Sequence, residues 1–144
     1  SWLPSYGPEM RGGTCNCSVV LSDESIGSPL VTAPDVLIAM NLPSLDKFED
    51  SVVPGGTILL DSSLIDRKVT RQDVKVCYVD ASRLAEENGM KGSANIILVG
   101  KMFKELGFCT EESLYKAVDK CVPPKKAALI EVNKNALKLG YSVE

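Results

Sequence analysis

The chain has 144 residues, 44% of them hydrophobic and 24% charged, with a formal net charge of −3. Length and composition are those of one globular α/β-sized domain with a sizeable core; nothing is basic enough to announce a nucleic-acid partner, no stretch approaches the about 20 apolar residues that span a bilayer, and the start does not read as a signal peptide. There is no histidine, which excludes His-based acid–base catalysis, Ser-His and Cys-His pairs, and the commoner zinc sites.

The first segment with chemical character is Tyr6-Gly7-Pro8-Glu9-Met10-Arg11-Gly12-Gly13-Thr14. Gly12 and Gly13 accept φ > 0 and leave no Cβ in the way of a close-approaching ligand or backbone. Gly7 before Pro8 is biased to an extended or turn conformation. Arg11 is permanently charged and fork-shaped, suited to a phosphate or a carboxylate. The plainer reading is a tight turn with an internal Glu9–Arg11 or Arg11–carbonyl contact.

From Thr14 to Leu21 the residues alternate, with Cys15, Cys17, Val19 and Leu21 on one face and Thr14, Asn16, Ser18 and Val20 on the other. The pattern predicts a half-buried strand, at an edge or against something polar. Asp23-Glu24-Ser25 reads as a solvated hairpin tip, and Ser28 before Pro29 is pushed away from helix. Val36-Leu37-Ile38-Ala39-Met40 is a continuous apolar run, as expected of a strand covered on both faces in a parallel sheet. A helix then starts with Ser44 as the expected N-cap and Leu45, Phe48 and Val52 on one face; Pro54-Gly55-Gly56 breaks it. Thr57-Ile58-Leu59-Leu60 and Val74-Lys75-Val76-Cys77-Tyr78-Val79 are the next strands, a βαβ rhythm.

Helices dominate the remainder. One runs over 81–88 and is closed by Gly89. A second, over 93–106, is apolar nearly all round and stopped by Gly107. A third opens at Thr110 with Leu114, Val118 and Cys121 or Val122 as its inner stripe. Pro124 suits a first helical position, and a last helix over 128–139 ends at Gly140. The expected fold is therefore α/β: an open, mostly parallel sheet flanked by helices, with a helical C-terminal third. It forms a single domain over 1–144.

Ligands in open α/β sheets gather outside the carboxyl ends of the strands. Those ends carry Asn41, Asp61-Ser62-Ser63 and Asp80, where capping explains short polar residues equally well. The five cysteines do not form a cluster motif: Cys15 and Cys17 alternate along a strand, and Cys77, Cys109 and Cys121 lie in separate elements. They read as reduced thiols in a cytoplasm, each a small apolar residue. Arg67-Lys68 with Arg71, and Lys120 with Lys125 and Lys126, are basic groups that read as solvated surface rather than phosphate sites. No complete Gly-x-Gly-x-x-Gly fingerprint or P-loop is present.

The segment 5–14, with Asn16-Cys17-Ser18-Val19-Val20, Ile26-Gly27-Ser28-Pro29, Pro34 to Asn41, Ser44-Leu45-Asp46-Lys47-Phe48 and Pro54-Gly55-Gly56, resembles the gamma subunit of the 2-oxoacid:ferredoxin oxidoreductases. The likeness is close over roughly the first 65 residues and general thereafter. It implies a subunit that is not catalytic alone, in a complex that decarboxylates a 2-oxoacid oxidatively with coenzyme A to acyl-CoA and CO₂ and reduces ferredoxin. In that family thiamine diphosphate with Mg lies between alpha and beta chains, and iron–sulfur clusters sit in beta or in a ferredoxin-like delta chain. No cofactor is expected on this chain itself, and no thiamine-type Gly-Asp-Gly or cluster motif is present in it. The implied partners are alpha, beta and possible delta subunits, with no nucleic acid and no membrane. Tyr6, Gly7, Glu9, Arg11, Gly12 and Gly13 are assigned to the coenzyme A side or to the interface with alpha. The resemblance also implies a first βα unit ahead of Ser1, so the domain is expected to be N-terminally incomplete. Leu3-Pro4-Ser5-Tyr6 and Met40-Asn41 look closer to 2-oxoglutarate or general 2-oxoacid gamma chains than to pyruvate ones. The alternative class is an assembly module that buttresses alpha and touches neither substrate nor coenzyme A; a free-standing dinucleotide-binding domain would need the glycine-rich first turn.

Overall fold

A computed structural model describes residues 2–5 and 14–144, with side chains from Cys15 onward. Two sheets form. Trp2–Ser5 (β1) and Thr14–Cys17 (β2) pair antiparallel, Trp2 opposite Cys17 and Ser5 opposite Thr14. Val36–Ala39 (β3), Thr57–Asp61 (β4) and Lys75–Val79 (β5) form a parallel sheet in the order β3-β4-β5. The helices are Leu42–Phe48 (α1), Ala81–Glu87 (α2), Ala94–Leu106 (α3), Glu111–Cys121 (α4) and Ala128–Ser142 (α5). Short 3₁₀ turns, Glu49–Ser51 and Pro124–Lys126, extend α1 and precede α5.

All five residues of the central strand β4 are buried, which is why its middle, Ile58-Leu59-Leu60, is a continuous apolar run and not an alternating one. Leu59 points to one face, where Cys77, Val79, Ala85, Ile97, Leu98 and Ala136 enclose it under α2, α3 and α5. Ile58 and Leu60 point to the other, against Leu45, Val52 and Ile65. Burying each such Leu or Ile contributes about 1.5–3 kcal/mol. Among the described residues α1 covers part of the second face, and the β4–β5 connection over residues 62–74 lies on it with Ile65, Val69 and Val74.

α3 and α5 cross backbone to backbone. A Cβ on Gly100 would lie 2.2 Å from the Leu137 carbonyl oxygen, and one on Gly140 would lie 1.9 Å from that of Ile97. The glycines are reciprocal, one on each helix, and allow an approach no larger residue permits. Gly107, at φ 55°, closes α3 with its N–H on the Phe103 carbonyl, the left-handed stop expected of it.

Several expectations are corrected. The described β1–β2 ladder pairs Cys17 with Trp2, and β2 is four residues long where the alternation predicts a strand to Leu21. Residues 18–35 contain no helix or strand, and 23–25 bend without a hairpin. The alternation is kept in the burial pattern: Cys15, Cys17, Val19 and Leu21 are exposed, while Asn16, Ser18 and Val20 are partly covered. Asn41, not Ser44, caps α1, accepting the Ser44 N–H at 3.0 Å, since Pro43 needs no donor partner in the first turn. α5 continues through Gly140 to Ser142, because that glycine serves helix contact and not termination. Leu114, Val118 and Val122 are only half-buried, Cys121 is exposed, and α4 has no fully buried residue. Of the cysteines only Cys77 is buried, so the small-apolar-residue reading holds for that one.

Candidate functional site

The carboxyl ends of the parallel strands are the place where such a sheet gathers polar chemistry. The Asp61 carboxylate, fully buried at the end of β4, accepts the Ser82 hydroxyl at 2.6 Å, the Ser82 N–H at 3.1 Å and the Ser63 N–H at 3.1 Å. It thereby satisfies a donor in the first turn of α2 from the neighbouring strand, one that no residue of its own segment caps. Asp80, at the end of β5, accepts the Ser62 hydroxyl at 2.5 Å and the Arg83 guanidinium. Those two donors, the hydroxyl first, hold its carboxyl below the usual range. Ser63 Oγ in turn accepts the Arg83 N–H at 3.2 Å. Asp61, Ser62 and Ser63 thus interlock with Asp80, Ser82 and Arg83. Both acids accept hydrogen bonds from neighbouring donors, so the arrangement ties β4, β5 and α2 together.

Two further polar clusters were not legible in advance. Arg67 reaches Asp46 at 2.9 Å and the buried Glu49 at 2.5 Å. Arg71 donates to the Glu49 and Val52 carbonyls at 2.9 and 2.7 Å and meets Asp73 in a two-point contact. Tyr78 Oη accepts the Val69 N–H at 3.1 Å, and Lys68 lies 4.0 Å above that ring. Lys68 stays exposed, but Arg67 and Arg71 are not simply solvated surface; they pin the long β4–β5 connection to the end of α1. Lys120, Lys125 and Lys126 are exposed and make no ion pair among the described residues, as expected.

At the opposite, amino-terminal end of the sheet, Lys101 is buried to 4% exposure. It holds Glu105 at 2.8 Å and the Val143 carbonyl at 3.0 Å, and Lys104 reaches the same carbonyl at 2.8 Å. Lys75, at the start of β5, also binds Glu105. Lys101 and then Lys75 pull the Glu105 carboxyl down to about 2, and burial pushes the adjacent Cys77 thiol up, leaving it protonated and inert near neutrality. The four-residue spacing of Lys101 and Glu105 is the signal by which the pair could have been found; its burial and its third partner required the fold.

Tyr6, Gly7, Glu9, Arg11, Gly12 and Gly13 lie outside the described residues. The structure gives their two anchor points: the segment 6–13 joins Ser5 to Thr14, paired residues of an antiparallel ladder. That two-stranded sheet is separate from the parallel one. Downstream of it, Leu21, Ser22 and Asp23 border a shallow groove with Phe108, Cys109 and Leu114, beside the end of α3 where Glu105 meets Lys75. The described contacts therefore do not bring this arm to Asn41, Asp61 or Asp80.

Residues 1–143 match the family model described as pyruvate ferredoxin/flavodoxin oxidoreductase. The chain belongs to that family. Ketoisovalerate oxidoreductase subunit VorA of Methanothermobacter thermautotrophicus is 42% identical over 97% of this chain, which spans 29% of that protein's length. 2-Oxoglutarate synthase subunit KorC of Methanocaldococcus jannaschii is 36% identical over 96% of this chain and 74% of its own. Among solved structures, the gamma subunit of a keto/oxoacid ferredoxin oxidoreductase from Geobacter sulfurreducens superposes with a TM-score of 0.74 at 28% identity, covering 98% of this chain and 77% of that one. The resemblance to gamma subunits of 2-oxoacid:ferredoxin oxidoreductases and the open parallel α/β architecture are both borne out. Among the described residues no helix is long and apolar enough to cross a membrane, and no group of three or more potential ligands is placed to hold a metal.

Proposed function

We propose that this chain acts as the gamma-type part of a multi-subunit 2-oxoacid:ferredoxin oxidoreductase, contributing to the oxidative decarboxylation of a 2-oxoacid with coenzyme A to acyl-CoA, CO₂ and reduced ferredoxin. The observation that carries this is the family match over residues 1–143 together with the gamma-subunit fold. Among the described residues the acids at the strand ends are held in mutual hydrogen bonds, and this reading gives the chemistry to companion chains. Those chains, alpha, beta and a ferredoxin-like delta, hold thiamine diphosphate, Mg and the iron–sulfur clusters. The relatives' names favour a branched-chain 2-oxoacid or 2-oxoglutarate as substrate.

Within this reading Tyr6, Gly7, Glu9, Arg11, Gly12 and Gly13 line the side where coenzyme A approaches or where the alpha chain docks. Support comes from the sequence, in which a guanidinium sits among glycines whose backbone N–H groups are free of side-chain cover, and from the hairpin that carries both ends of the segment. The test is 2-oxoacid- and coenzyme A-dependent viologen reduction by the companion subunits with and without the polypeptide that carries this chain. Activity appearing only on its addition is the expected result, and full activity without it overturns the proposal. Arg11→Ala then separates the two roles. A raised KM for coenzyme A in an intact complex supports the ligand role. An unchanged KM with weakened assembly assigns the loop to the interface.

A further inference from the structure

We propose that the N-terminal end of α3 holds a phosphate group of a ligand, bound by the Ser93 hydroxyl and the Ala94 and Asn95 N–H groups, with the Lys91 ammonium close by in the chain. Its assignment to coenzyme A rests on the subunit reading above. The first N–H groups of a helix have no partner within it and carry the positive end of its dipole. In α3 Ser93 stands at the cap position, and its carbonyl accepts the Ile96 and Ile97 N–H groups, both at 3.0 Å. The Ala94 and Asn95 N–H groups have no acceptor among the described residues, and no acid lies in the first turn.

Ser93 turns an uncapped helix end into a site. It is 6% exposed and Ala94 is 8% exposed, yet the Ser93 hydroxyl neither caps α3 nor meets another group among the described residues. A buried helix end and a buried hydroxyl both left without partners are uncommon, because each unmade hydrogen bond costs free energy. Among the described residues the fully enclosed side-chain atoms without a partner are Asn16 Oδ1 and Arg67 Nε; the Ser93 hydroxyl therefore reaches an opening. Lys91, Gly92 and Asn95, on either side of it in the chain, are exposed, and the space where a Cβ on Gly92 would stand is empty. Glu105, in the last turn of α3, binds Lys75 at the start of β5. The helix thus runs back along the sheet, and its N-terminus lies toward the carboxyl ends of the strands, where open α/β sheets gather ligands. Asp61 and Asp80 at that end are engaged by Ser82, Ser63, Ser62 and Arg83. Two N–H groups, a hydroxyl and an ammonium supply donors to several oxygens of one phosphate. Coenzyme A is the phosphate-bearing compound of the reaction proposed above, and inorganic phosphate is the other source of the same group.

The test follows amide NMR shifts in the full polypeptide that carries this chain, isotopically labelled at alanine and asparagine nitrogen. It is titrated with coenzyme A and, separately, with inorganic phosphate. Saturable shifts of the Ala94 and Asn95 amides are expected, with coenzyme A half-saturating at a concentration at least tenfold below that of phosphate. Equal concentrations for the two overturn coenzyme A as the source. Absence of saturable shifts with both overturns the site and leaves intact the subunit reading, which viologen reduction tests by itself. Lys91→Glu, at an exposed position, sets a carboxylate near the site and should raise the half-saturating concentration at least tenfold. Ser93→Asp tethers an anion beside the same N–H groups and should abolish the shifts while the circular dichroism of the fold is kept; should that variant not fold, Lys91→Glu decides alone. Binding unchanged by these substitutions overturns the assignment to α3.

Discussion

Gly140→Ala tests the closeness of α3 and α5 directly. An alanine Cβ there would lie 1.9 Å from the Ile97 carbonyl oxygen, 2.8 Å from its carbon and 3.0 Å from the Lys101 nitrogen. Ordinary carbon–oxygen contact is about 3.4 Å, so the helices must part locally by more than 1 Å. A gap of about 0.5–1 Å already forfeits a quarter to a half of each dispersion contact, and Ile97, Leu98, Ala136 and Leu137 are buried at or beside this crossing. Overpacking costs about 1–3 kcal/mol, and an obstruction by backbone places this case at the top of that range, about 3 kcal/mol; alanine's better helix propensity returns about 1 kcal/mol. The expected net loss is about 2 kcal/mol, read as a lowered urea midpoint at unchanged m-value and a Tm lower by about 6–8 °C. Gly140→Asn discriminates further. At a left-handed helix cap asparagine is the best-tolerated replacement; at a helix crossing its larger side chain is worse than alanine. Asparagine equal to glycine, or alanine without effect, would refute the crossing.

Asp61→Ala leaves the Ser82 N–H and hydroxyl and the Ser63 N–H without their acceptor; a loss of about 2–4 kcal/mol is expected in denaturant titrations, and a loss below 1 kcal/mol would show that water replaces the carboxylate. Glu105 carries an acid-limb prediction. Its folded pKa of about 2 lies below the ordinary 4.5, so its contribution is complete above about pH 4.5 and is lost as pH falls toward 2. Glu105→Gln should therefore lower stability at neutral pH and flatten its decline over that window; a parallel shift of the whole curve would place the acid sensitivity elsewhere. Tyr78→Phe removes the acceptor for the Val69 N–H and should cost about 1 kcal/mol, with faster amide exchange at Val69 as its local signature.

Much of the architecture was written in the order of residues. Continuous apolar runs at 36–40 and 57–60 imply strands covered on both faces, because a one-sided strand must alternate. Gly107 and Thr110 mark a helix stop and start by local stereochemistry alone, with Thr110 Oγ1 accepting the Ser113 N–H at 3.2 Å. The absence of histidine removed whole classes of chemistry before any fold was considered, and the glycine-rich segment with its neighbours carried the family resemblance that the matched relatives bear out.

What the sequence could not decide were the facts that depend on which elements meet. Alternation at 15–21 shows two faces but not which one is covered, since that depends on neighbours distant in the chain. Gly140 reads locally as a stop; only the approach of Ile97, 43 residues earlier by number, turns it into a contact. Arg67 and Arg71 look like free cations until the chain folds back to set the Glu49 carboxylate beside the first and the Glu49 and Val52 carbonyls beside the second, and such a partner is a matter of distance in space, not of spacing in sequence. Local rules thus set the elements and most of their ends, while tertiary structure alone decided which faces are covered and which distant polar groups meet.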